Sequence, residues 1–149
     1  LNVLCDKLKG IDANKAYEMN IKVGCAIANR DMIRSLCNYI FSQYKSLLPH
    51  DGKLLLIMLP STRAIYEGKN PKTGKVYALI KIAEDAAGEL SIPFLDLNEA
   101  FILDYKNNRQ PFDFKCDGHW NERGHLIAGK AISAFIQENK WIQEKDYGK

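Results

Sequence analysis

The sequence contains no Cys-x-x-Cys pair and no ladder of Cys and His at zinc-finger intervals. Its cysteines, Cys5, Cys25, Cys37 and Cys116, stand far apart. Structural zinc is therefore not expected, and cysteines so placed permit disulfides without demanding them, which leaves the redox compartment open. Also missing is any apolar run near the roughly 20 residues needed to cross a bilayer. The longest, residues 54–59, has the length of a buried strand. No membrane span is expected. There is no basic cluster either: the formal charge is +3, and the densest cations, at 69–75, are diluted by Asn, Pro, Thr and Gly. A nucleic-acid surface would gather cations on one face beside aromatic or base-reading partners, so nucleic acid is not an expected partner. Repeats and low-complexity tracts are absent. Position 1 is not Met and the start is unlike a signal peptide, so the chain is expected to begin inside a longer precursor.

What is present fits one globular domain over 1–149, with 46% hydrophobic and 26% charged residues. Residues 1–29 are the hardest to read; "LNVLCDKLKG" suits a short helix ending at Gly10. From Asp31, read as an N-cap, Ile33, Leu36, Ile40, Tyr44, Leu47 and Leu48 recur near helical spacing and predict a helix of about 17 residues with one apolar face. Pro49-His50-Asp51-Gly52 ends it. "KLLLIMLP" is an unbroken apolar run suited to a strand covered on both faces, as in parallel sheets. "STRAIYEGKNPKTGK" reads as a polar loop. "VYALIKIAEDAAGEL" reads as a helix ending near Gly88, with Val76, Leu79, Ile80 and Ala83 on one side, and "IPFLDL" as a second strand. A last helix starts at the N-cap Asn121, with Leu126, Ile127, Ala131, Ala134 and Phe135 buried and Glu122, Arg123, Lys130, Gln137 and Glu138 facing water. Gly124 and Gly129 there suggest close packing. Helix, strand, helix, strand, helix is the order of an α/β domain.

The stretch "KCDGHWNERGHLIAGKAISAF" places Asp117 and His119 just before that last helix. If residues 117–119 are extended, both side chains project to one side, and the carboxylate can reach a ring nitrogen of the imidazole. An acid so placed holds one tautomer and stabilises the cation formed when the other nitrogen takes a proton from a nucleophile. The loop follows the last strand, and ligands of α/β sheets collect at the carboxyl ends of strands. The plainer reading is a turn, because Asp-Gly is a common turn dipeptide.

"DGHWNERGHLIAGKAI" resembles the last conserved block of the SGNH (GDSL-type) hydrolases. "IPFLDLNEAF" is similar to the segment preceding that block, and "LLLIMLPSTRAIY" to the strand before it. Together they cover roughly residues 53–135 in the family's order. The resemblance implies a three-layer α/β/α fold with a parallel, flavodoxin-like sheet, of which this chain is the C-terminal part. It implies His119 as general base and later general acid, with Asp117 as its orienting partner. The commonest form of the block is Asp-x-x-His, whereas one residue separates the two here. The Asp-x-His form followed by Trp120 and Asn121 resembles branches that include polysaccharide O-acetyltransferases of the alginate type as well as esterases. No Gly-Asp-Ser block precedes any of Ser35, Ser42, Ser46, Ser61, Ser91 or Ser133. Ser61 ends a strand but lacks the glycine neighbours of a nucleophile elbow.

The expected function is thus a serine esterase acting on an ester such as an O-acetyl group, without metal or organic cofactor. The nucleophile and oxyanion donors would lie in an N-terminal segment outside this chain. The alternatives are an O-acyltransferase acting on a polysaccharide and a non-catalytic SGNH-like binding module. Expected partners are a small-molecule or carbohydrate ester and either the missing segment or a second copy. The resemblance favours an extracytoplasmic or secreted location. Trp120 reads as packing under the helix start, or as a pocket wall. Cys116 reads as a buried structural thiol, and His125 is poorly spaced from His119 for shared metal ligation.

Overall fold

The computed structural model describes residues 27–142. The short helix expected at residues 1–10 lies outside them. The first described helix, α1 (Arg30–Ser46), has the predicted 17 residues. Its N-cap is Asn29, however, and Asp31 lies in the first turn, where a carboxylate favours the helix dipole rather than capping a free N–H. The stripe marked for burial is largely open: Leu36, Ile40, Tyr44 and Leu47 are exposed, while Ile33 and Leu48 are half-buried. Polar groups instead fasten α1 to the third helix, α3 (Lys75–Glu89). Arg30 pairs with Asp85 at 2.9 Å, Arg34 pairs with Glu89, the Asn38 amide donates to Glu89 at 2.6 Å, and Lys45 donates to the Leu90 carbonyl at 2.6 Å. Exposed ion pairs contribute about 0–1 kcal/mol each, so these four contacts add little to the half-buried Ile33, Cys37 and Phe41 of the same helix.

Strand β1 (Leu56–Met58) pairs in parallel with β2 (Phe94–Asp96), Leu56 opposite Phe94 and Met58 opposite Asp96. Parallel neighbours require a crossover, and here it consists of α2 (Thr62–Tyr66), a loop and α3. The loop expected after β1 therefore holds a short helix, whose Ile65 is buried. Nor is β1 covered on both faces: Met58 is buried, but Ile57 is 38% and Leu59 66% exposed. The described sheet has only these two strands, so the other edge of β1 is unpaired among the described residues. In β2, adjacent side chains point opposite ways. Phe94 lines a cavity beside α3, while Leu95 packs on the cluster formed by Ile65, Leu97, Phe101, Phe112 and Ala128. On the α3 side Ile82, Ala86 and Ala87 are buried, whereas Val76, Leu79, Ile80 and Ala83 are half-buried.

The sequence reading missed helix α4 (Asn98–Asn108). Ala100, Phe101, Ile102 and Leu103 are consecutive, so apolar residues point to all sides and the 3.6-residue signature is lost. Only Asn98 and Phe101 are buried. Arg109, in the left-handed conformation at φ 53°, closes the helix. The terminal helix α5 (Glu122–Glu138) is capped as expected, Asn121 Oδ1 accepting from the backbone N–H of Arg123 and Gly124. Its buried stripe is displaced, because Gly124 and Ala128 are buried while Leu126 and Ala134 are exposed. Gly124 makes the close approach its residue type suggests: a Cβ would stand 2.8 Å from the Phe112 carbonyl oxygen and 2.8 Å from Trp120 Cβ. Gly129 makes no such approach. Arg123, expected to face water, grips Asp104 of α4 through Nε at 3.0 Å and through its terminal nitrogen at 2.6 and 2.8 Å. Among the described residues no helix is long and apolar enough to cross a membrane.

Candidate active site

Between α4 and α5 the chain forms a small hairpin. Asp113 and Trp120 make an antiparallel bridge, the Phe114 N–H donates to the His119 carbonyl at 3.0 Å, and the Asn121 N–H donates to the Phe112 carbonyl at 2.7 Å. Its tip is not extended. The Asp117 N–H turns back to the Phe114 carbonyl at 3.2 Å, and residues 117–119 bend. The bend, not strand alternation, brings the pair together. Asp117 Oδ1 accepts the His119 backbone N–H at 3.1 Å and meets the ring at Nδ1. The turn and the acid–histidine pair are thus one structure: the Asx turn that starts the bend also aims the carboxylate at the imidazole.

The ring is 86% exposed and the carboxylate 55%. Nδ1 is engaged by Asp117, and Nε2 has no hydrogen-bond partner among the described residues and faces outward. An imidazole held this way can take a proton at Nε2 while the carboxylate stabilises the resulting cation. The ring and backbone N–H of His119 hold the Asp117 carboxyl below the usual carboxylate range. A depressed folded-state value contributes stability above the ordinary carboxyl pKa of about 3.9, and that stability is lost as pH falls through the folded value. Urea unfolding followed from neutral pH into acid should therefore show a shallower acid loss for Asp117→Asn than for the wild type.

The other singled-out residues fall as follows. Trp120 packs, its ring 5.2 Å from Phe101 and 5.7 Å from His125. Cys116 is neither a buried nor a free thiol: it is exposed and disulfide-bonded. Ser61 lies just past β1, its N–H donating to Asn98 Oδ1 at 3.0 Å, and no described bond joins it to His119. Among the described residues no group of three or more His, Cys, Asp or Glu could hold a metal ion.

Two arrangements escaped the sequence reading. Asn98, fully buried, ties the carboxyl ends of the two strands, its side chain accepting from Ser61 and donating to Asp96 Oδ1 at 2.8 Å. A lone Asn after a strand's Asp-Leu was its only signal. The second is a cavity of about 700 Å³ between β1, α2 and α3, with Met58, Val76, Ile80, Ala83 and Phe94 among its walls. Neither Asp117 nor His119 lines it. No protein-family model, curated protein or solved structure matches this chain.

Proposed function

We propose that the chain is the acid–base part of an SGNH-type serine ester hydrolase acting on an ester such as an O-acetyl group. The observation that carries this reading is the contact of Asp117 with His119 Nδ1, on a solvent-exposed hairpin directly before the terminal helix. The proposed frame is a three-layer α/β/α domain with a flavodoxin-like parallel sheet. Its support is the parallel β1–β2 pair, with Phe94 turned to α3 and Leu95 to the α4–α5 side. The disulfide at Cys116 supports an oxidising compartment.

In this mechanism a serine hydroxyl attacks the ester carbonyl and passes its proton to His119 Nε2, while Asp117 stabilises the imidazolium. The tetrahedral intermediate collapses, the alcohol leaves with the proton from His119, and an acyl-serine remains. Water, deprotonated in turn by His119, then releases the acid. The serine is proposed to come from outside this chain. Ser42 and Ser46 donate to the Tyr39 and Gln43 carbonyls of their own helix, and Ser61 lacks an elbow. If a sugar hydroxyl replaces water in the last step, the same residues perform O-acyl transfer. The Asp-x-His-Trp-Asn form of the block resembles branches of both kinds, so the acceptor decides between the two readings.

The test uses the full-length protein with an activated acetyl ester, with and without oligosaccharide acceptors, and a fluorophosphonate label mapped by mass spectrometry. Released acetate and a label on a serine outside residues 1–149 are the expected results. Acetylated sugar as the main product would replace hydrolysis by transfer. Absence of both turnover and label would leave the non-catalytic binding module.

A further inference from the structure

We propose that Tyr66 is a positioning residue for the Asp117–His119 pair, a role that rests on the catalytic reading above only for its purpose. Tyr66 ends α2, next to the buried Ile65, and its ring packs 5.1 Å from Tyr105 and 6.0 Å from Phe112. From this anchored ring the hydroxyl makes two bonds. It accepts the backbone N–H of Phe112 at 2.7 Å and donates to Asp113 Oδ2 at 2.9 Å.

Those two residues are the root of the hairpin. Phe112 receives the Asn121 N–H through its carbonyl, and Asp113 bridges Trp120, so both legs are fixed where Tyr66 holds one of them. The tip has little else to orient it. Asp117 and His119 are exposed and gain no packing, which leaves the root and the Cys116 disulfide to set their direction. The Asp113 carboxylate depends on this one hydroxyl in particular, because its other oxygen, Oδ1, is buried without a partner. Buried polar groups are normally paired, and one that loses its partner turns toward water. When the Tyr66 proton is removed, Asp113 is left with no side-chain partner, and its turn outward displaces the strand that carries the tip. Burial and the Asp113 carboxylate together push the Tyr66 phenol up to about 12, against the Phe112 N–H, which lowers it. The hydroxyl therefore keeps its proton throughout the pH range in which histidine titrates.

The experiment follows the Asp117 side-chain carboxyl by carbon NMR as pH is lowered, in the full chain. Tyr66→Phe keeps the ring and removes the hydroxyl. Its Asp117 titration should move upward toward an ordinary aspartate, and Asp113→Ala should move it the same way. Tyr105→Phe, a second tyrosine of the same core cluster whose hydroxyl bonds nothing in the hairpin, should leave it unmoved. A folded Tyr66→Phe or Asp113→Ala protein with the wild-type Asp117 titration overturns the proposal. So does a Tyr105→Phe shift of equal size, which would mark general loosening. Turnover is not needed for this readout. A shifted titration in an inactive protein would sink the ester-hydrolase reading and spare the positioning role, and an unshifted one in an active enzyme would do the reverse.

Discussion

If the proposed ester hydrolysis is the activity, replacing His119 by Ala is expected to lower kcat for acetyl-ester turnover by about 10⁴- to 10⁶-fold in the full-length protein. The effect is large because without the imidazole no group removes the serine proton or returns one to the leaving alcohol. The Asp117 carboxylate then has nothing to orient. Fold stability should hardly change, since the ring is 86% exposed and surface substitutions away from packed features usually stay within about 0.5 kcal/mol. Loss of activity without loss of melting temperature is therefore the signature to measure. His125→Ala is the matched control: that ring lies against the Trp120 edge one turn into α5, so its loss should cost activity little. Full turnover by the His119→Ala protein would remove this histidine from the mechanism.

Phe101→Ala is expected to reduce unfolding free energy by about 3–5 kcal/mol, the range for truncating a buried aromatic. Phe101 has no exposed surface and meets Phe112 edge-on at 4.6 Å and Trp120 at 5.2 Å. Removing the ring opens a void directly beneath the two legs of the hairpin. The surrounding rings cannot collapse far into it, because Gly124 already brings α5 against Phe112 and Trp120 with no room for a Cβ. Since domains of this kind are stable by only about 5–15 kcal/mol in total, the variant should be marginally folded. Urea midpoints with an unchanged m-value would show this as a stability loss within the same native state. A loss below about 1 kcal/mol would mean that the cluster is not the main core.

Much of this frame is readable without coordinates wherever local chemistry decides. Asn121 is a cap because its side chain reaches N–H groups two and three residues on, a strictly local bond. The Asp117–His119 contact is local for the same reason, although the bend that makes it was not the extended strand expected. Reading fails where the deciding partner is distant in sequence. Nothing near Arg123 announces Asp104, nothing near Tyr66 announces Asp113, and the stripe of α1 gives no hint that Arg30, Arg34 and Asn38 reach Asp85 and Glu89 of α3. Helix α4 was lost for another reason: its apolar residues are crowded together, and periodicity cannot be read where there is no gap. The proposed roles of Asp117 and His119 come from the family resemblance, since spacing alone points first to a turn.

The cysteine beside the Asp117–His119 pair is half of a disulfide, so the hairpin is held near its tip as well as from its root. A preparation made under reducing conditions and one allowed to oxidise would differ by two hydrogens in mass, yet they would present the imidazole on differently restrained ribbons. The redox history of a sample thereby becomes a variable of its chemistry, to be fixed before rates from two laboratories are compared.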